Sequence, residues 1–343
     1  MLKYTEVINE IIQKTAVVKK QKNLNVKQWF AVFLSDYCQN VKKTTFASYQ
    51  QAVNNHINRI LGEVMLNQIN SEVIQFFIKV LDNGDEDCKP LCAKSIKNVY
   101  GVLHKGLDIA YKLGYMSNNI ENMVVVLPRV KSIEISPLTN DEIVALLSEI
   151  EGSQYSDIIT TAIFTGMRES ELLGLRWCDI DFKSGTINIT HQLIRDKISH
   201  KYVLTSPKSN RSRSIKPAPF VIEQLKKNVS CNKQDYVFTN KFGEHLSHNA
   251  VYRYLKKAAF KAFNRENVRF HDLRHTYAVI SLQAGDDYKT LQENMGHYSA
   301  SFTLDRYGHC TDAMRSISSQ RMENFYIHNL KEDKVHTPII ICS

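Results

Sequence analysis

From Leu24 to Leu127 apolar residues return every three or four positions, the spacing of helices that bury one face. Trp29, Phe30, Phe33, Leu34 and Tyr37 make one stripe. Thr45 to Leu61 makes a second and stops at Gly62. Ser71 to Leu81 makes a third, with Ser71 as its expected N-cap and the acidic loop DNGDED behind it. Cys92 to Leu113 makes a fourth, ending at Gly114. Four helices with short links predict a small bundle over 24–127. Residues 1–23 carry Leu2, Ile8, Ile11 and Ile12 at helical spacing and then the run VVKKQK. They read as a short helix with a basic tail, open either to DNA or simply to solvent. PRVKSIEISP, residues 128–137, is polar and bounded by prolines, which predicts a linker.

A second domain, 138–328, opens on Leu138, Thr139, Asn140, Asp141 and Glu142, a helix start capped by Thr139 with acid in its first turn. The apolar helix SDIITTAIFTG follows, and then TGMRESELLGLRW, which sets Arg168 at a helix start just past Gly166 and Glu171 one turn later. CDIDFKSGTINI and the stretch Gln192 to Ile215 read as three β-strands, with Ser209 and Asn210 at the turn of the last hairpin and Lys208 at its tip. Helices are expected over Pro217 to Asn228, over Ser247 to Phe263 with Arg253, Lys256 and Lys257, from Asp272 onward, and over Met314 to Ile327; residues 329–343 read as a loose tail. The fold class predicted is multidomain: an all-α bundle followed by a mainly α domain with a small antiparallel β-sheet.

Composition adds a partner class. The 343 residues suit two domains, and 43% hydrophobic content excludes a disordered chain. A formal net charge of +9 favours a polyanionic partner such as nucleic acid. Seven scattered cysteines fit free thiols in a reducing compartment, and Cys88 with Cys92 lacks the second pair that a zinc site needs. Without an apolar run of membrane length or a leader, the expectation is a soluble cytoplasmic protein.

The chemistry concentrates between Phe270 and Tyr307, where RFHDLRHTYAVISLQAGDDYKTLQENMGHYSASFTLDRYGH, which extends a residue or two beyond that stretch at each end, holds His271, Arg274 and His275 in one helical turn, His297 after a glycine, and Tyr307 ten residues on. His271 and Arg274, three apart, share a helix face. Together with TGMRESELLGLRW, this order resembles the two motif boxes of the tyrosine recombinases, the phage integrase family. The resemblance covers roughly residues 24–328, and its style is closest to integrases of Gram-positive phages and conjugative elements. It implies the DNA breaking-rejoining fold: a SAM-like core-binding domain over 24–127, and a catalytic domain over 138–328 with the linker closing the two around a duplex as a clamp. The separate arm-binding domain that several integrases carry is expected to be absent or reduced.

By that resemblance Tyr307 is the nucleophile that attacks a DNA phosphodiester and keeps its energy as a 3′-phosphotyrosyl ester. Arg168 and Arg274 hold the nonbridging oxygens, because a guanidinium donates in a planar fork and never loses its charge. Lys208, on the family's hairpin, protonates the leaving 5′ oxygen, although Lys201 and Arg211 to Arg213 lie close enough to compete for that role. His271 assists the phenol as base or orients it, His297 bonds the phosphate, and Glu171 orients Arg168. No cofactor and no metal are expected; a zinc site from His271, His275 and His297 would lack the glutamate of zinc proteases and would consume a histidine the phosphate needs. DNA-backbone contacts are expected from Lys42, Lys43, Thr44 and Ser48 at the second helix, from Lys94 and Lys97 at the fourth, and from Arg211, Arg253 and Lys256, each with a solvated helix face as its alternative.

The function expected is integration and excision of a phage or mobile element by a site-specific recombinase. It would be a monomer when free and a homotetramer on double-stranded DNA, working with accessory bending or directionality factors and no membrane. The alternatives are a chromosome-dimer resolvase of the same family, a type IB topoisomerase that relaxes supercoils as a monomer, and a non-catalytic DNA-binding regulator on the same scaffold.

Overall fold

The computed structural model describes residues 24–130, 136–196, 199, 201–207, 212–296 and 312–327. Two compact units divide the chain between residues 133 and 134, with 196–200 grouped with the first.

The first unit is a helical bundle. Helix α1, Val26–Val32, starts from a capping box in which Asn25 and Gln28 exchange side-chain bonds of 2.8 and 3.1 Å, and it runs on through a widened turn, Phe33–Tyr37. Helix α2, Lys43–Ala52, continues through a second widened turn into Asn58–Leu61. Helix α3 spans Ser71–Asn83 and α4 spans Ala93–Lys112. Their apolar faces close on one core that includes Trp29, Phe30, Phe33, Ile57, Phe77, Ile96, Leu103 and Leu107. Gly106 is fixed by that core: a Cβ there would lie 2.5 Å from the Phe30 ring, and its carbonyl accepts the Trp29 indole N–H at 2.9 Å. The cap of α3 differs from expectation. Asn70, extended at φ −143°, accepts from the Val73 N–H at 2.9 Å, so the helix begins one residue earlier, and the Ser71 hydroxyl instead accepts from the Val124 N–H. The chain leaves this unit along α3, where the Gln75 amide bonds both N–H and C=O of Val126.

In the second unit α5, Asn140–Ile150, carries the expected capping box, Thr139 with Glu142. Helix α6, Ser156–Thr165, ends at Gly166 in the left-handed region, φ +61°. Arg168 is the N-cap of the short α7, Glu169–Leu173. Five short strands follow, not three. β1 (Ile180–Asp181), β2 (Thr186–Ile189) and β5 (Arg213–Ile215) form one antiparallel sheet, pairing Ile180 with Ile187 and Ile187 with Ile215. β3 (Gln192–Arg195) and β4 (Tyr202–Thr205) form a separate antiparallel ribbon. Among the described residues β4 and β5 do not pair with each other.

Helices α8 (Pro219–Lys226), α9 (His248–Phe263), α10 (Phe270–Ala284), α11 (Tyr288–Met295) and α12 (Asp312–Tyr326) complete the described chain. The core gathers Ile159, Ile163, Leu172, Leu173, Ile187, Leu255 and Leu273 among others. Leu138 is tied to α10, its N–H donating to the Thr276 hydroxyl at 2.9 Å. No described helix is long and apolar enough to cross a membrane.

Candidate active site

Three guanidinium groups meet at the C-terminal end of α11. Arg168 Nη2 donates to the carbonyl of Gly296 at 2.9 Å, Arg274 Nη2 donates to that of Met295, and Arg213 Nε donates to that of Asn294 at 2.8 Å. The last carbonyls of a helix have no partner within it and carry the negative end of its dipole, so cations collect there. Gly296 makes the turn possible with φ +62°, and a Cβ on it would lie 3.0 Å from the Arg213 guanidinium. The sequence expectation for Arg168 and Arg274 thus meets a geometry in which the two lie on adjacent peptide units.

Each cation is held from behind as well. Arg274 is 3% exposed, sits in the second turn of α10, and donates its Nη1 to the carbonyl of Gly166. Gly166 is suited to this on two counts: its φ is +61°, and a Cβ would lie 2.3 Å from Cδ1 of Tyr277. Arg168 is held by Glu171, whose carboxylate accepts the Arg168 N–H at 2.9 Å and its Nη1 at 2.7 Å. That one-way cap, in which the Glu171 carboxylate accepts from both the main chain and the side chain of the N-cap residue, is why an acid stands three residues after the arginine.

Glu171 is fully buried in its side chain and also takes both terminal nitrogens of Arg213, at 2.9 and 2.7 Å. Burial pushes its carboxyl upward, but the hydrogen bonds and charge of Arg213, with those of Arg168, outweigh burial and hold it down at about 2. The sequence reading included Glu171 and missed this second partner. Its one signal was the arginine-rich RSRSI at the end of the last expected strand, whose arginines read only as rivals to Lys208 until β5 is seen to bury Ile215 and carry Arg213 inward.

His271 lies one turn before Arg274 on α10, its surface open to solvent and its ring edge-on to that of His275 at 4.8 Å. The protein packed around it and, after that, the charges of Arg274 and Arg168 lower its pKa below the ordinary histidine value. It is therefore an uncharged imidazole near neutral pH, able to accept a proton. Among the described residues no group of three or more His, Cys, Asp and Glu is arranged to hold a metal. Lys208, Arg211, His297 and Tyr307 lie outside the described residues. The turn expected at Ser209 and Asn210, with Lys208 at its tip, lies outside them too.

The other expected contacts are surface cations. Lys42 is the N-cap of α2, Lys43 and Thr44 are exposed in its first turn, and the Ser48 hydroxyl donates to the Thr44 carbonyl at 2.9 Å. Lys94 and Lys97 stand exposed in the first turns of α4. Arg253 and Lys256 stand exposed on α9. A helix start lined with lysine and hydroxyl groups suits a phosphate backbone.

A second acid was not anticipated. Glu169, the first residue of α7, pairs through Oε2 with His248 Nδ1 at 2.7 Å, while its buried Oε1 has no hydrogen-bond partner. Burial raises its pKa to about 6 against the opposing effect of His248.

Comparison with known proteins agrees with this picture. Residues 137–314 match the model of the phage integrase family, and residues 25–81 match that of the phage integrase N-terminal SAM-like domain. A tyrosine recombinase XerC-like protein of Caldanaerobacter subterraneus is 26% identical over 319 residues, covering 83% of this chain and 79% of its own. The ICEBs1 integrase of Bacillus subtilis is 24% identical, covering 85% of this chain and 80% of its own. The transposase from transposon Tn916 of Enterococcus faecalis is 32% identical over a shorter stretch, 46% of this chain and 43% of its own. Among solved structures, the Tn1549 transposon integrase in complex with a circular intermediate DNA superposes with a TM-score of 0.72 at 23% identity, over 87% of this chain and 99% of that one. A lambda integrase tetramer bound to a Holliday junction superposes with a TM-score of 0.60 at 18% identity, over 86% and 82%.

Proposed function

The chain belongs to the phage integrase family, the tyrosine recombinases, and on that footing we propose that it cuts and rejoins double-stranded DNA at specific sites to integrate and excise a mobile element. The observation that carries this reading is the convergence of Arg168 and Arg274 on adjacent carbonyls of α11. Two guanidiniums so close together, each held from behind, form a site for a group with two anionic oxygens, which is what a scissile phosphodiester presents.

In the proposed reaction the Tyr307 phenolic oxygen attacks phosphorus and the 5′ oxygen leaves as a hydroxyl, taking its proton from Lys208. Arg168 and Arg274 neutralise the nonbridging oxygens as charge builds on them, with His297 adding a hydrogen bond. His271, uncharged at working pH, accepts or steers the phenolic proton. The ester to Tyr307 conserves the bond energy, so the reverse attack by a 5′ hydroxyl reseals the strand without a nucleotide or a metal. Lys42, Lys43, Thr44, Ser48, Lys94, Lys97, Arg211, Arg253 and Lys256 would hold the duplex. The working assembly would be a homotetramer in the cytoplasm, formed on DNA by copies that are monomers when free. The integrase and transposase names among the relatives favour a mobile-element role over a chromosome-dimer resolvase.

Trapping tests this. The protein is mixed with a library of nicked duplexes randomised around the nick, and covalent products are isolated under denaturing conditions and sequenced. A 3′-linked adduct on an enriched sequence, lost in Tyr307→Phe while gel-shift binding persists, is the expected result. No adduct from the wild-type chain would leave a DNA-binding regulator. Relaxation of plasmid by a monomer without joining of two sites would mean a topoisomerase.

A further inference from the structure

Glu171 raises a charge problem for the arginine it orients. A carboxylate at 2.7 Å from Arg168 Nη1 neutralises much of the charge that the phosphate would need. Arg213 resolves it. Both of its terminal nitrogens lie on the two oxygens of Glu171, and its side chain is 10% exposed, away from competing water. Two cations around one anion leave one net positive charge, and the planar fork of Arg213 fills the carboxylate on its far side. Arg213 Nε simultaneously holds the Asn294 carbonyl, and its guanidinium packs against Gly296, the residue before His297.

We propose that Arg213 is a positioning residue for strand cleavage: it balances and fixes Glu171 so that Arg168 keeps its charge for the phosphate, and it fixes the end of α11 from which the His297 segment departs. This rests on the reading of Arg168 as a phosphate ligand. A mere brace would affect stability alone, whereas a charge-balancing residue also governs the ionisation of Glu171. Without Arg213 the burial of Glu171 is opposed by Arg168 only, so the carboxyl pKa rises and protonation begins nearer neutrality.

The test uses the full chain and the duplex enriched by the wild-type protein, with single-turnover adduct formation measured at saturating DNA from about pH 8 to about pH 6, over which His271 and Glu169 titrate in every variant and the difference between variant and wild-type profiles reports the ionisation of Glu171. For R213Q the expected result is a rate about tenfold or more below wild type. Binding should be little changed, and the loss should lessen relative to wild type as pH falls, because a protonated Glu171 no longer offsets the charge of Arg168. R213K, which restores a charge without the fork, should recover the wild-type pH profile and part of the rate. In the E171Q background, R213Q should no longer add pH dependence. Should R213Q fail to fold, R213K and the R213Q/E171Q pair carry the same comparison. A wild-type rate in R213Q, or a loss that tracks only the folded fraction with an unaltered pH profile, overturns the proposal. Failure of the wild-type chain itself to form an adduct would instead overturn the strand-cleavage reading.

Discussion

Arg168 and Arg274 donate to neighbouring main-chain oxygens, those of Gly296 and Met295, so one helix end holds both cations. In the proposed reaction a phosphate would exchange with these carbonyls, and the two side chains would need little reordering to receive it.

The first prediction follows from that exchange. Arg274→Lys should slow adduct formation about a hundredfold, near 3 kcal/mol, because one ammonium cannot span the positions of a planar fork. It should also lower the melting temperature, since the carbonyls of Gly166 and Met295 lose a buried donor. Arg168→Lys should slow the chemistry comparably with a smaller loss of stability, because Arg213 remains on Glu171. Single-turnover trapping and thermal melts on the same preparations separate the two effects.

Glu169 sets a pH dependence of opposite sign to Glu171. Its folded pKa is raised from 4.5 to about 6, so its contribution to stability is fully present below 4.5 and is lost as pH rises through about 6. Glu169→Gln should remove that dependence. The mutant should gain on wild type by up to about 2 kcal/mol between those limits, read from urea melts at a series of pH values. A constant difference across the series would contradict it.

Gly166→Ala should cost about 2 to 4 kcal/mol, combining a left-handed backbone with a Cβ driven into the Tyr277 ring. Because Gly166 also supplies a carbonyl to Arg274, adduct formation by the folded fraction should fall too. Denaturant unfolding, with trapping normalised to folded protein, checks both.

Lys94→Ala and Lys97→Ala should each weaken DNA binding and lower the slope of log affinity against log salt by about one, with trapping at saturating DNA nearly unchanged. Titrations at several salt concentrations decide whether these lysines meet phosphate or only solvent.

The helices were legible in the sequence wherever a buried stripe was bounded by a cap or a glycine, as in α4 with Ile96, Val99, Leu103 and Leu107. The α3 cap was misplaced by one residue because Asn70 and Ser71 both suit the position, and only the backbone turn decides between them. The strands were harder. β3 and β4 are four residues each and β5 is three, too short for alternation to show which strand pairs with which. Arg168, Glu171 and Arg274 were readable because each stands at or near a helix start within a short motif that resembles the family's boxes, and the resemblance implied their roles. Arg213 was not, because its partners stand 42 and 81 residues away and only the folded chain brings them together.

Helices α6 and α11 both end in a left-handed glycine, and in each the oxygens at that end accept from an arginine of the site. The same cations are thus wanted by the scaffold as well as by the proposed reaction. A descendant that had lost its chemistry would still be held to these arginines by the need to fold, so their survival in a sequence records ancestry. Activity is recorded only by a covalent product.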